Sequence, residues 1–267
     1  MIDRIGAHSR MDIQATSPDA DALRDDTPQN RNAMAQAPQW PAFRRFVAEP
    51  FLPEQASGIT RPAINATVRL FGIDIAFMAV LIGIAMLAMA AGFEAPVNVM
   101  DDMKITAGIV FAIVVFAPVV EELVFRSWLS GRRAHVFVPL VLGLAIGGGV
   151  GANLLGASLL IVIASAIGGL SIAVWLLIQF PSGGPMPWFR AGFRWIYYAS
   201  AALFACVHLL NYEGSDPVLL LFVLPQFVAG LIFGFARVQY GLWSSIALHV
   251  VHNALFITIA LLGEGAA

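Results

Sequence analysis

Long apolar runs with few charges occupy most of this chain, and they restrict it to one class of fold. A helix needs about 20 mostly apolar residues to cross a bilayer, where every backbone polar group must be satisfied internally. About seven such stretches follow one another, at 70–91, 106–128, 136–155, 157–179, 195–214, 217–237 and 242–263. The expectation is an all-α, polytopic transmembrane bundle filling 61–267. With 59% hydrophobic and 12% charged residues, the 267-residue chain falls outside the soluble globular range. A net charge of −2 offers no footprint for nucleic acid, and a single cysteine, Cys206, excludes an internal disulfide framework.

Residues 1–60 read differently, as a cytoplasmic tail. Residues 1–39 are polar, contain no sustained apolar run and are expected to be disordered. No apolar stretch follows the early arginines in the manner of a secretory signal. Between 40 and 51, Trp40, Phe43, Arg44, Arg45, Phe46 and Phe51 fit either a segment lying along the membrane surface or a linker. Arg61, Arg69, Arg132, Arg133, Arg190, Arg194 and Arg237 all fall on one side if every candidate spans, while the opposite loops are mainly acidic. That asymmetry predicts a cytoplasmic N-terminus and an external C-terminus.

Within the spans, Gly143, Gly147 and Gly151, and again Gly230 and Gly234, recur every four residues and predict close helix packing. Ionisable residues are rare, which makes the exceptions informative. Glu121 and Glu122 stand with Arg126 in the second span, His208 in the fifth, and His249, His252 and Asn253 in the seventh. Spacings of four put Glu122 with Arg126, and His249 with Asn253, on common helix faces. Read singly, each histidine fits a hydrogen-bonded bundle residue, and Glu122–Arg126 fits a structural ion pair. Asp74 is expected to reach the membrane interface from the first span, and His8 and His135 are expected to be solvated. Cys206 lies two residues before His208 and so points away from it on a helix, leaving water as the expected nucleophile for any hydrolysis.

The ordered set Glu121-Glu122-x-x-x-Arg126, Phe204-x-x-x-His208 and His249-x-x-x-Asn253 resembles the three motifs of the CAAX protease and bacteriocin-processing family of intramembrane endopeptidases. That group contains the type II CAAX prenyl endopeptidases and bacterial proteins labelled Abi. The resemblance covers about 105–260 and departs from the family pattern in one respect, because two apolar stretches at 136–179 separate the first two motifs. An inserted helical hairpin would preserve the directions of the flanking spans.

The resemblance implies an integral protein of a bacterial cell membrane that cleaves a membrane-associated peptide or prenylated protein. Glu121 would act as general base, and His208 would hold and polarise the water. His249 and Asn253 would donate to the oxyanion, with Glu122, Arg126 and Phe204 in support. No cofactor is needed in this reading; the alternative is a zinc enzyme with Glu121, His208 and His249 as ligands and an open water position. A non-enzymatic transporter, immunity or scaffold protein is the rival of another class, although no inverted repeat or paired broken helices are evident.

Overall fold

The computed structural model describes residues 33–98, 104–156, 158–180, 183–214 and 216–264. Among them the chain is helical with no β-strand, and six helices are long and apolar enough to cross a membrane. An amphipathic helix, α1 (Gln39–Ala48), precedes the long α2 (Arg61–Ala90). Then come α3 (Ala107–Phe125), α4 (Arg133–Leu154), α5 (Leu159–Gln179), α6 (Phe193–Val207), α7 (Leu224–Gln239) and α8 (Leu242–Glu264).

The expected span at 217–237 is divided. A turn of helix, Leu219–Phe222, stops at Val223, and α7 begins beyond it with Pro225 in its first turn. Proline has no N–H to return to the carbonyl four residues earlier, so an uninterrupted helix through Leu221 to Pro225 loses a bond there. Helix α7 is 16 residues, about 24 Å long, and lies at the centre of the bundle. Every residue from Ala229 to Gln239 is buried. Gly230 and Gly234 permit this enclosure, since a Cβ on Gly230 would lie 3.1 Å from Ala201 Cα and one on Gly234 would lie 2.9 Å from the Tyr197 ring.

The segment around Phe43 is a helix docked on the bundle and not an unstructured linker. Spacing of three puts Phe43 and Phe46 on the inner face of α1, where they meet Phe235, Phe193 and Tyr197. Tyr240 Oη donates to Gln39 Oε1 at 2.6 Å and ties the start of α1 to the end of α7. The reading of 1–39 as disordered falls outside the described residues up to 32; Ala35 and Gln39 are buried.

Helices α4 and α5 form the hairpin anticipated at 136–179, and they pack chiefly against each other. The small-residue reading needs correction here. The faces that close the hairpin carry Gly149 against Ser165 and Val162, and Gly169 against Ala145, whereas Gly143, Gly147 and Gly151 meet nothing within 4 Å. At its base, Gly131 turns with φ 65° where a Cβ would strike Phe189 and Leu52, and its carbonyl accepts from Met186 N at 2.9 Å. The chain thus enters and leaves the hairpin at one point.

Candidate functional site

Helix α3 is distorted around the paired carboxylates for a reason written in Pro118. Residues Ala112–Phe116 form a wide π turn in which the Ala117 N–H returns to the Ala112 carbonyl. The carbonyl of Ile113 is then left without a backbone donor, because its next candidate, Pro118, has no N–H. Asn253 Nδ2 supplies the missing bond from α8, at 2.8 Å. One amide proton of Asn253 is thereby used to hold two helices together, and the second remains for the cavity it lines.

The other end of α3 is also secured. Ser200 Oγ donates to the Phe125 carbonyl at 2.7 Å, Arg237 Nε to that of Arg126 at 3.0 Å, and Arg237 Nη2 to that of Ser127 at 2.9 Å. These bonds satisfy carbonyls that a helix end leaves without partners. Arg237 is consequently buried, not at a loop as its place at the end of a span suggests. The effect is to fix Arg126, whose side chain is wholly buried, as is that of Glu122. Arg126 Nη1 donates to Glu122 Oε1 at 2.7 Å, and its guanidinium lies 3.8 Å from the centre of the Phe204 ring. The aromatic face covers charge that has lost its water.

His249 completes this group. Its Nδ1 is 2.9 Å from Glu122 Oε1, and because the carboxylate is already paired with a guanidinium, Nδ1 is the donor. Its Nε2 faces Glu121 Oε2 across 3.6 Å, too long for a direct bond. Glu121 is the member open to the cavity, with its side chain 28% exposed, and Oε2 has no protein partner.

His208 begins the 3-10 turn that extends α6, His208–Asn211. Its Nδ1 is 2.8 Å from the Phe204 carbonyl, which can only accept, so in the neutral ring Nε2 keeps a lone pair. Phe204 packs edge-on against both His208 and His249. Glu121, Phe204, His208, His249 and Asn253 all line one cavity of about 550 Å³. Its remaining walls include Met78, Ile82, Ile113, Phe256 and Ile257, so a polar end adjoins an apolar one. Among the described residues, no three His, Cys, Asp or Glu side chains are grouped to hold a metal ion.

One more residue falls elsewhere than the sequence suggests. Asp74 does not reach the interface. Helix α2 starts at Arg61, nine residues before the predicted span, which places Asp74 about 20 Å along it, and the side chain is fully buried. Its Oδ2 lies 2.6 Å from His252 Nδ1. His252 also lines the cavity, so α8 contributes two carboxylate-bound imidazoles. The expected solvated histidine His135 is exposed and bonds Ser130 Oγ at 2.8 Å, while His8 lies outside the described residues. Cys206 is free and exposed.

A family model described as type II CAAX prenyl endopeptidase Rce1-like matches residues 104–255, more than half of the chain. The matched stretch contains Glu121, His208, His249 and Asn253 but not Asp74. No curated protein and no solved structure matches the chain.

Proposed function

Because the chain belongs to the type II CAAX prenyl endopeptidase Rce1-like family, we propose that its cavity hydrolyses a peptide bond of a membrane-tethered or prenylated substrate, with water as nucleophile. The observation that carries this reading is Glu121, whose side chain is 28% exposed on the cavity while its buried Oε2 lies without a hydrogen-bond partner 3.6 Å from His249 Nε2. A carboxylate partly exposed in a largely apolar cavity is placed to accept a proton from water. The lone pair on His208 Nε2 holds the same water through its second proton. Attack on the scissile carbonyl transfers a proton to Glu121 and develops negative charge on oxygen.

When His249 carries a proton on Nε2, that N–H and the free amide proton of Asn253 are the two donors for that oxygen. Glu122 holds the ring through Nδ1, and Arg126 keeps Glu122 ionised. The apolar end of the cavity, from Met78 and Ile82 to Phe256, suits a lipid-like chain attached to the peptide. The basic residues flanking the spans support a cytoplasmic N-terminus.

The test uses the full chain in liposomes with an internally quenched prenylated peptide. Glu121→Gln is expected to lower kcat by at least about 10³-fold, in line with removing a principal acid–base group that also deprotonates the nucleophile. Metal-stripped wild-type protein is expected to retain its rate. Cleavage by Glu121→Gln at the wild-type rate would overturn the assignment, and loss on chelation restored by Zn²⁺ would replace it with the metal-dependent form.

A further inference from the structure

The two carboxylate–imidazole pairs on α8 differ in what balances their charge. Glu122 has Arg126. Asp74 is fully buried, its Oδ1 has no partner, and the only cation-forming group paired with it among the described residues is His252. An isolated carboxylate at membrane depth is costly, and a proton shared with His252 offsets that cost. A neutral pair has its protons at definite places. If the proton between Oδ2 and Nδ1 belongs to Asp74, the neutral ring must carry its own proton on Nε2. If it belongs to His252, the ring is an imidazolium and again carries a proton on Nε2. In either arrangement Nε2–H is a donor, and this nitrogen has no partner among the described residues while the side chain is 16% exposed in the cavity.

Around this ring stand Asp74 from α2, Phe233 from α7, and His249 and Phe256 on α8 itself, with Glu121 of α3 on the same cavity. Among them His252 is the imidazole whose carboxylate partner has no guanidinium beside it.

We propose that His252, held by Asp74, donates a proton to the departing amine nitrogen, a role that rests on the hydrolytic reading above. As the tetrahedral intermediate collapses, the C–N bond breaks and its electron pair goes to nitrogen, which takes the proton from His252 Nε2. The pair is left as an Asp74 carboxylate accepting from Nδ1–H of a neutral ring. The proton that Glu121 took from water then returns to Nε2 across the cavity, restoring both groups, and no other reactant is consumed. Asp74, which touches no substrate atom, is a positioning residue. It lies outside the stretch matched by the family model, so the device belongs to this chain's own first long helix.

Two probes separate this role from a structural one. The first is the prenylated peptide amide; the second carries the same prenylated acyl group esterified to an acidic phenol, whose phenolate departs without a proton. His252→Gln is expected to slow the amide by about 100-fold, within the range for a general acid, and to leave the ester within a few-fold of wild type. Asp74→Asn keeps the packing volume but cannot take up the charge left on the pair, so it should show the same selective loss, and Asp74→Glu should restore part of the rate. Asp74→Asn also keeps the test open should His252→Gln fail to fold.

Equal losses on amide and ester in the folded Asp74→Asn protein would overturn the inference while leaving the hydrolytic reading intact. Failure of wild-type protein to cleave either probe would overturn both.

Discussion

Helix α7 and the α4–α5 hairpin are both rich in small and apolar residues, yet they meet opposite surroundings. Around α7 the neighbours are protein: α1, α2, α6 and α8 enclose it, and its arginine and glycines are each matched to a particular atom. The hairpin packs chiefly on itself and presents Leu144, Leu155, Leu160, Ile167 and Trp175 outward. Only Val136 and Phe137, at the start of α4, touch the buried core. The difference teaches that apolar composition alone does not separate a helix solvated by protein from one solvated by lipid. What separates them is whether polar groups and glycines find partners. All the residues assigned to chemistry lie on the side where they do.

The largest expected effect comes from removing the cation at the heart of the packed side. Arg126→Leu leaves Glu122 fully buried with no guanidinium, and breaking a buried pair from one side costs about 3–5 kcal/mol. Cleavage should be lost, and the thermal midpoint of the detergent-solubilised protein should fall sharply. A stable, active Arg126→Leu protein would show that the pair is not what organises the site. A smaller contrast lies in the glycines. Gly230→Ala brings a Cβ to 3.1 Å from Ala201 backbone, which cannot step aside as a flexible side chain can, and should cost about 1–3 kcal/mol. Gly147→Ala on the hairpin meets nothing within 4 Å and should fall within about 1 kcal/mol of wild type, on the stabilising side because alanine is the better helix former. Comparable losses from both substitutions, measured by thermal unfolding, would erase the distinction.

The sequence reveals the groups of this site more readily than their arrangement. Glu121, His208, His249 and Asn253 stand out because a bilayer tolerates few such groups, so their presence in apolar spans is itself a signal. The pairing of Asp74 with His252 is hidden twice over. The start of α2 is masked by the mixed composition of 61–69, and the partner lies 178 residues away on another helix. A period of four glycines is the same whether the face meets protein or lipid, which is why the stripe at Gly143 and the one at Gly230 read alike. Pro118 and Pro225 do mark where α3 widens and α7 begins. The bond from Asn253 to the carbonyl so released, however, depends on tertiary contact between α3 and α8.

The smallest expected effect is also the widest excision. Because the Gly131 carbonyl accepts from Met186 N, the two chain ends at the base of the hairpin are already neighbours, and a few glycines could join residue 132 to residue 185 without moving either. Helices α3 and α6 would keep their directions, since a hairpin leaves on the side at which it enters. The bonds that fix Arg126, from Ser200 and Arg237, come from α6 and α7 and would remain. A chain lacking 133–184 should therefore insert in liposomes and cleave the prenylated peptide within a few-fold of the wild-type rate. The excision removes the cation–π contact of Arg133 with Phe180 but no residue that lines the cavity. A loss approaching that of Arg126→Leu would mean that the hairpin, despite its separate packing, supports the site through the turn at Ser127–Ser130, the one route by which it joins the bundle closely.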